Sequence, residues 1–192
     1  MTLGKAREDT LVCTVGRAFN RRIVHQGQQA VTSHSRFSIC HALTTSDLAA
    51  VRRLFLEYRE HVQEPRCFES FAKEIANLRG DYGGPSGCLL IAWRDTGVIG
   101  CVALRALGNG SAEAKRVYVI ADQRRNGVEK ALMLELISYA GARGYDRLQL
   151  ETLLEMVFAR KLYRTLRFHE TGSVELFPVP GALGLEVNPS LV

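Results

Sequence analysis

From residue 37 onward, apolar positions fall into short alternating runs and helical stripes. Phe37-Ser-Ile-Cys-His-Ala42 alternates loosely and predicts a first strand. Leu48, Val51, Phe55, Tyr58 and Val62 follow at spacings of 3, 4, 3 and 4, which is one helical face, with Thr45, Ser46 and Asp47 offering N-caps. After Pro65, the positions Phe68, Phe71, Ile75 and Leu78 repeat the 3, 4, 3 spacing and predict a second helix, closed by Gly80 ahead of the loop Gly83-Gly-Pro-Ser-Gly87. Cys88–Trp93 and Val98–Leu104 flank Asp95-Thr-Gly97, a hairpin signature, and both Trp93 and the two thiols Cys88 and Cys101 read as core. Glu113–Ile120 is a further strand, Asp122–Asn126 a polar loop, and Val128, Leu132, Leu136 and Ala140 mark a helix that opens at about Gly127 and ends at Gly141 and Gly144. Arg147–Thr152 predicts a strand, Met156–Leu166 a helix and Leu183–Val187 a final strand, with one more strand expected near Phe168. The order β, α, α, β, β, β, α, β, α, β reads as an α/β (α+β) mixed sheet with helices against it.

Composition narrows the class. A chain of 192 residues, 46% hydrophobic and 23% charged, is globular and amounts to one domain plus a tail. The longest uncharged apolar run, Cys88-Leu-Leu-Ile-Ala-Trp93, is far below the roughly 20 residues that span a bilayer, so no membrane role is expected. The five cysteines are scattered and form no C-x-x-C, and the histidines show no ligand spacing with them, so neither a disulfide frame nor a metal site is expected.

The net charge of +5 is unevenly placed: residues 1–36 carry six cations and two anions, or +4, leaving +1 for residues 37–192. No basic stripe interleaved with aromatics runs through residues 37–192, which argues against nucleic acid as a partner. From Thr10 to Ser46 there is no acidic residue. Residues 1–36 therefore read as a basic, poorly ordered extension of a cytoplasmic protein, with a mitochondrial-type targeting segment as the alternative.

The most informative junction is Tyr118-Val-Ile-Ala-Asp-Gln-Arg-Arg-Asn-Gly-Val-Glu-Lys-Ala-Leu132. A strand enters a polar loop and a helix opens at Gly127, so free N–H groups and the helix dipole favour a phosphate there, although an ordinary Asn-Gly turn explains the same residues. The second place is Tyr163, on the helix after strand Leu148-Gln-Leu-Glu-Thr152: either a core aromatic or a phenol able to protonate a leaving thiolate.

Together and in this order, these segments resemble the GNAT superfamily of acetyl-CoA-dependent N-acetyltransferases over residues 38–188. Glu113-Ala-Lys-Arg-Val-Tyr-Val119 is similar to the family's central strand, and Arg124-Arg-Asn-Gly127 to the start of its R-x-x-G-x-G/A pyrophosphate loop. Leu150-Glu-Thr152, Met156, Ala159, Leu162-Tyr163 and Leu166-Arg-Phe168 are similar to its second block and its L-G-F. The E-x-K-R strand and Phe177-Pro-Val-Pro-Gly181 also resemble an uncharacterised bacterial branch.

The resemblance implies acetyl-CoA as co-substrate and a primary amine of a small molecule or peptide as acceptor. Gln123, Arg124, Arg125, Asn126, Gly127 and Val128, with Lys130, would hold the pyrophosphate. Val117, Tyr118 and Val119 would bind the pantetheine arm as an added strand. Tyr163 would be the acid. Glu113 would be the base, its alternative reading being a strand carboxylate facing Lys115. Two residues depart from the pattern. Glu129 stands where the family has Gly or Ala, and a charge there would repel a phosphate at about 4 Å by roughly 1–4 kcal/mol. Arg167 replaces the glycine of L-G-F. Both favour the alternative of a degenerate GNAT-fold binding protein with weak or no catalysis, and a third reading has residues 1–36 touching an anionic surface. An edge strand near the C-terminus is expected to allow a homodimer.

Overall fold

In a computed structural model, residues 37–62, 64–171 and 181–192 are described; the 1–36 extension and most of the Phe177–Gly181 turn lie outside them. Seven strands form one mixed sheet in the order β1-β2-β3-β4-β5-β7-β6. They are β1 (Ser38–His41), β2 (Cys88–Arg94), β3 (Gly97–Gly108), β4 (Ser111–Val119), β5 (Arg147–Leu153), β6 (His169–Glu170) and β7 (Ala182–Val187). Every neighbouring pair is antiparallel except β4 and β5, which run parallel. The strand expected near Phe168 is β6, at the sheet's edge.

Helices α1 (Thr45–His61), α2 (Phe71–Ala76) and α3 (Leu78–Tyr82) cover one face, and α4 (Val128–Ala142) and α5 (Val157–Thr165) the other. On the first face Val51, Leu54, Phe55, Phe71, Leu78 and Tyr82 pack on Leu89, Ile91, Cys101 and Ala103. On the second, Leu132, Met133, Leu136 and Ile137 of α4 pack on Leu90, Val102, Leu104 and Leu148. The alternation of strand side chains separates the two cores.

Local chemistry shifts several boundaries. The cap of α1 is Thr44, one residue before the expected ones: its hydroxyl accepts from the Asp47 amide (3.1 Å), while the Asp47 carboxylate accepts from the Thr44 amide (2.9 Å). The second expected helix is broken in two. Pro65–Phe68 is a 3-10 turn, and α2 ends at Asn77, whose amide donates to the carbonyls of Lys73 and Glu74 and whose carbonyl restarts the chain as α3. Gly80 lies inside α3 and leaves room for the Asn77 side chain, which a Cβ there would meet at 2.1 Å. Trp93 is not core: it stands 43% exposed at the outer end of β2. Cys88 and Cys101 are buried as expected, and burial pushes the Cys88 thiol up to about 12.

The sheet's main irregularity is in β4. Its register against β3 slips between Cys101↔Tyr118 and Ala103↔Lys115, and Arg116 takes the left-handed conformation at φ 57. That conformation costs an L-residue about 1–2 kcal/mol. It drives the guanidinium into the α2 side, where Nη2 and Nε donate to Glu74 Oε2 (2.6 Å) and Oε1 (2.9 Å) and Nη1 donates to the Cys67 carbonyl (3.2 Å). Phe68 and Phe71 stack on it at 4.9 and 5.2 Å, and Tyr82 donates its hydroxyl to the same Glu74. Burial would raise the Glu74 carboxyl, but the Arg116 hydrogen bonds and charge hold it below its usual value.

Arg167 is also left-handed, at φ 65, where the resemblance expects glycine. It ends α5 in a Schellman motif: the Phe168 amide donates to the Tyr163 carbonyl (3.0 Å) and the Arg167 amide to that of Arg164 (3.1 Å). Its guanidinium donates to the Leu191 carbonyl (2.8 Å).

Glu74→Ala strands a buried cation and is expected to cost about 3–5 kcal/mol in urea unfolding. Because the Glu74 carboxyl is depressed in the folded state, the pair's stabilisation is full above the ordinary glutamate range and fades as pH falls through the folded value; Glu74→Gln is expected to flatten that acid limb. Arg167→Gly is expected to raise stability by about 1 kcal/mol, since glycine adopts the left-handed turn freely and the lost bond to Leu191 is exposed; a lowered thermal midpoint would show that the Leu191 tether outweighs the strain.

Candidate active site

β4 and β5 pair over only three positions, Ser111↔Arg147, Ala112↔Leu148 and Glu113↔Gln149. Beyond Glu113 the strands part, and a cleft of about 540 Å³ opens, lined by Ala114, Lys115, Val117, Leu150, Glu151, Thr152 and Tyr163 among others. The Arg116 bulge lies at this parting. The Ile120 amide donates to the Ile99 carbonyl (3.0 Å), so strand alternation turns the main-chain groups of Tyr118 toward β3 and those of Val117 and Val119 toward the gap. The Arg124 Nε donates to the Val119 carbonyl at 2.9 Å from that side.

Tyr118 turns its main chain toward β3 and its side chain away from the gap. Its side chain packs on the α1 face, its hydroxyl 3.5 Å from His61 Nδ1, and the Arg124 guanidinium stacks on its ring at 5.5 Å.

The loop after β4 behaves as the Asn-Gly spacing predicts. Gly127 is the N-cap of α4 in the left-handed conformation (φ 79), with nothing within 4 Å of where a Cβ would stand, and no side chain caps the helix. Arg125 is left-handed as well (φ 62). The first-turn amides of Val128, Glu129 and Lys130 therefore have no intrahelical acceptor and point at one open place with the positive end of a 15-residue helix behind them. Gln123 is held in place by Arg94, which donates to its side-chain oxygen, and Asn126 donates to the Gln123 carbonyl (3.4 Å). Arg124, Arg125 and Lys130 are exposed around it. These groups fit a pyrophosphate. Glu129, half-buried, lies in the same first turn.

Tyr163 is a core aromatic, 6% exposed and packed against Phe168 with tilted rings 5.7 Å apart, and it also lines the cleft. Burial pushes its phenol well above the usual value, and Tyr58 and Glu129 push it further, so it is protonated at neutral pH.

Glu113 faces Lys115 on the α1–α3 side, as alternation predicts, but it is buried at 4% exposure. Arg105 Nε donates to its Oε2 (2.6 Å) and Lys115 Nζ to its Oε1 (3.2 Å). A second carboxylate, Glu151, lies on the same face of β5, two residues past the partner of Glu113. Sequence reading passed over it, because in Leu150-Glu-Thr152 it is one polar position of an alternating strand. Its Oε1 is buried with no hydrogen-bond partner among the described residues. Burial raises its carboxyl, as does the charge of Glu113, against the opposing pull of Lys115 and Arg105.

Among the described residues, no cluster of three or more His, Cys, Asp or Glu side chains could hold a metal ion, and no helix is long and apolar enough to cross a membrane.

Known proteins resemble this chain in sequence and in fold. The model of the Acetyltransferase (GNAT) family matches residues 48–168. An uncharacterized N-acetyltransferase of Schizosaccharomyces pombe is 30% identical over 81% of this chain and 97% of its own. The N-acetylaspartate synthetase of Homo sapiens is 29% identical over 76% of this chain, which spans about half (49%) of that protein. In fold, the crystal structure of an acetyltransferase from Streptococcus agalactiae superposes with a TM-score of 0.66 at 18% identity, covering 81% of this chain and 99% of that one. With its splayed parallel strands, uncapped helix start and family match over residues 48–168, the chain belongs to the acetyltransferase (GNAT) family.

Proposed function

We propose that this chain is an acetyl-CoA-dependent N-acetyltransferase acting on a primary amine of a small molecule or peptide. The observation that carries the reading is the alignment of three features along one gap: the uncapped, left-handed start of α4, the main-chain edge of Val117 and Val119, and the protonated Tyr163 at its wall. Acetyl-CoA would supply the activated thioester. The Gln123 and Arg124 amides are taken by the carbonyls of Ile120 and Ala121, so the pyrophosphate would be bound by the amides from Arg125 into the first turn of α4, flanked by the Arg124, Arg125 and Lys130 side chains, and the edge of β4 would take the pantetheine amides as a strand takes a neighbour.

Tyr163 serves as the acid. Its raised phenol is protonated at neutral pH and so has a proton to offer the sulfur as the carbon–sulfur bond breaks. The acceptor approaches from the α1–α3 side, where the carboxylates able to take its proton, Glu113 and Glu151, stand. The mixed charge of that wall and the name of the human relative, N-acetylaspartate synthetase, support including amino acids among the amines to screen.

Glu129 favours a second reading, a GNAT-fold binding protein with little catalysis, because its carboxylate shares the first turn of α4 with the amides that would meet the pyrophosphate. A calorimetric titration with acetyl-CoA, and CoA for comparison, decides between them. Micromolar binding is expected; no binding at millimolar ligand by the folded protein would establish the second reading.

Glu129→Gly is expected to tighten acetyl-CoA about tenfold by removing the repulsion. Equal affinities in the same titration would show that the side chain turns its charge to solvent. Tyr163→Phe is expected to lower turnover about 100-fold while leaving acetyl-CoA affinity nearly unchanged. A Phe variant as fast as the parent would remove the phenol from the reaction.

A further inference from the structure

We propose that Glu151, and not Glu113, is the cleft's seat for the acceptor's ammonium group and the base that takes its proton. The inference rests on the acetyltransferase reading above and assigns the acceptor's place within it.

The argument starts from hydrogen-bond accounting. Buried carboxylate oxygens are ordinarily paired, and an unpaired one is unfavourable. Glu113 obeys this rule: Arg105 occupies one oxygen and Lys115 the other. Glu74 obeys it too, with Arg116 on both oxygens. Among the described residues, Glu151 Oε1 is the buried side-chain polar atom left without a partner, and its residue lines the cleft. A protonated primary amine is the ligand that fits such an atom, being compact, cationic and rich in donors.

The charges around it agree. Glu113 and Lys115 on β4, Arg105 on β3 and Cys67 on the turn before α2 are the titratable groups whose charge acts with it. With Glu113 saturated by two cations, an incoming ammonium finds no free oxygen there, and Lys115 and Arg105 repel it toward β5. Burial keeps the Glu151 carboxyl above the usual glutamate value, which brings its proton affinity nearer to that of an amine.

The step balances. Glu151 takes one proton from the ammonium and frees the nitrogen lone pair. The nitrogen bonds to the acetyl carbonyl carbon as the carbon–sulfur bond breaks. Tyr163 gives its proton to the departing sulfur and is restored by the second nitrogen proton through solvent, while Glu151 releases its own to bulk water. The sum is an amide, a free thiol and one proton.

The test uses the full chain with ¹³C-carboxyl-labelled glutamate, the Glu151 signal being the one missing from Glu151→Gln. That signal is expected to titrate above the ordinary glutamate range and to move when propylammonium chloride is added, while Glu113→Gln still shows the movement. A Glu151 signal unmoved by millimolar propylammonium overturns the proposal. In thiol-release assays over amino acids and polyamines, Glu151→Gln is expected to lower kcat/KM about 100-fold and abolish its acid limb. Loss of that limb in Glu113→Gln alone would give the base role to Glu113. Acetyl-CoA titrations of the same proteins are independent of both: absent binding refutes the acetyltransferase reading and leaves the propylammonium result to stand or fall by itself.

Discussion

Three residue pairs, Ser111 to Glu113 against Arg147 to Gln149, hold the two halves of the sheet together, and the bulge at Arg116 falls just past the point where they part. A parallel pair that continued would leave no gap and no cleft. The left-handed turn at Arg116 is unfavourable alone, yet it carries a guanidinium that closes a bidentate pair with Glu74, reaches the Cys67 carbonyl and lies against the rings of Phe68 and Phe71. The irregular backbone and the buried ion pair stabilise each other. The same pair anchors α2 and the turn before it, which form the far wall of the cleft.

That wall and the loop at the start of α4 stand at opposite sides of the gap, and each is organised by charge. On the loop side the positive groups are largely main-chain amides, free because neither a side chain nor a preceding turn takes them. On the α1–α3 side the charges are side chains, several in fixed partnerships: Arg116 with Glu74, and Arg105 and Lys115 with Glu113. An anionic ligand thus has one side to approach and a cationic amine the other. Tyr163 sits where the two meet, buried enough to stay neutral.

Much of this was legible in the sequence, for a physical reason. Periods of two and of 3.6 residues report which side chains face a core, and they located the strands and the long helices α1 and α4 to within a few residues. The Asn-Gly junction located the helix start because only its backbone chemistry was needed. The break at Asn77 was hidden, since the apolar stripe runs on through it and the stop comes from one residue's own hydrogen bonds. The bulge was hidden because an arginine gives no sign of a positive φ. Glu151 was passed over for a related reason: an unpaired oxygen is a property of what surrounds a residue, and alternation along β5 says nothing of that. Trp93 was misplaced because its run is apolar to the end, while the strand outlasts the layer that covers it.

The position of Trp93 bears on how the molecule would report on itself. It is the chain's single tryptophan, it sits half in water at the outer end of β2, and its neighbour Arg94 grips Gln123 in the loop before α4. Its indole is already partly solvated in the folded state. What its fluorescence would register, through the adjacent arginine, is a rearrangement of that loop, which makes a natural residue an optical probe of ligand arrival.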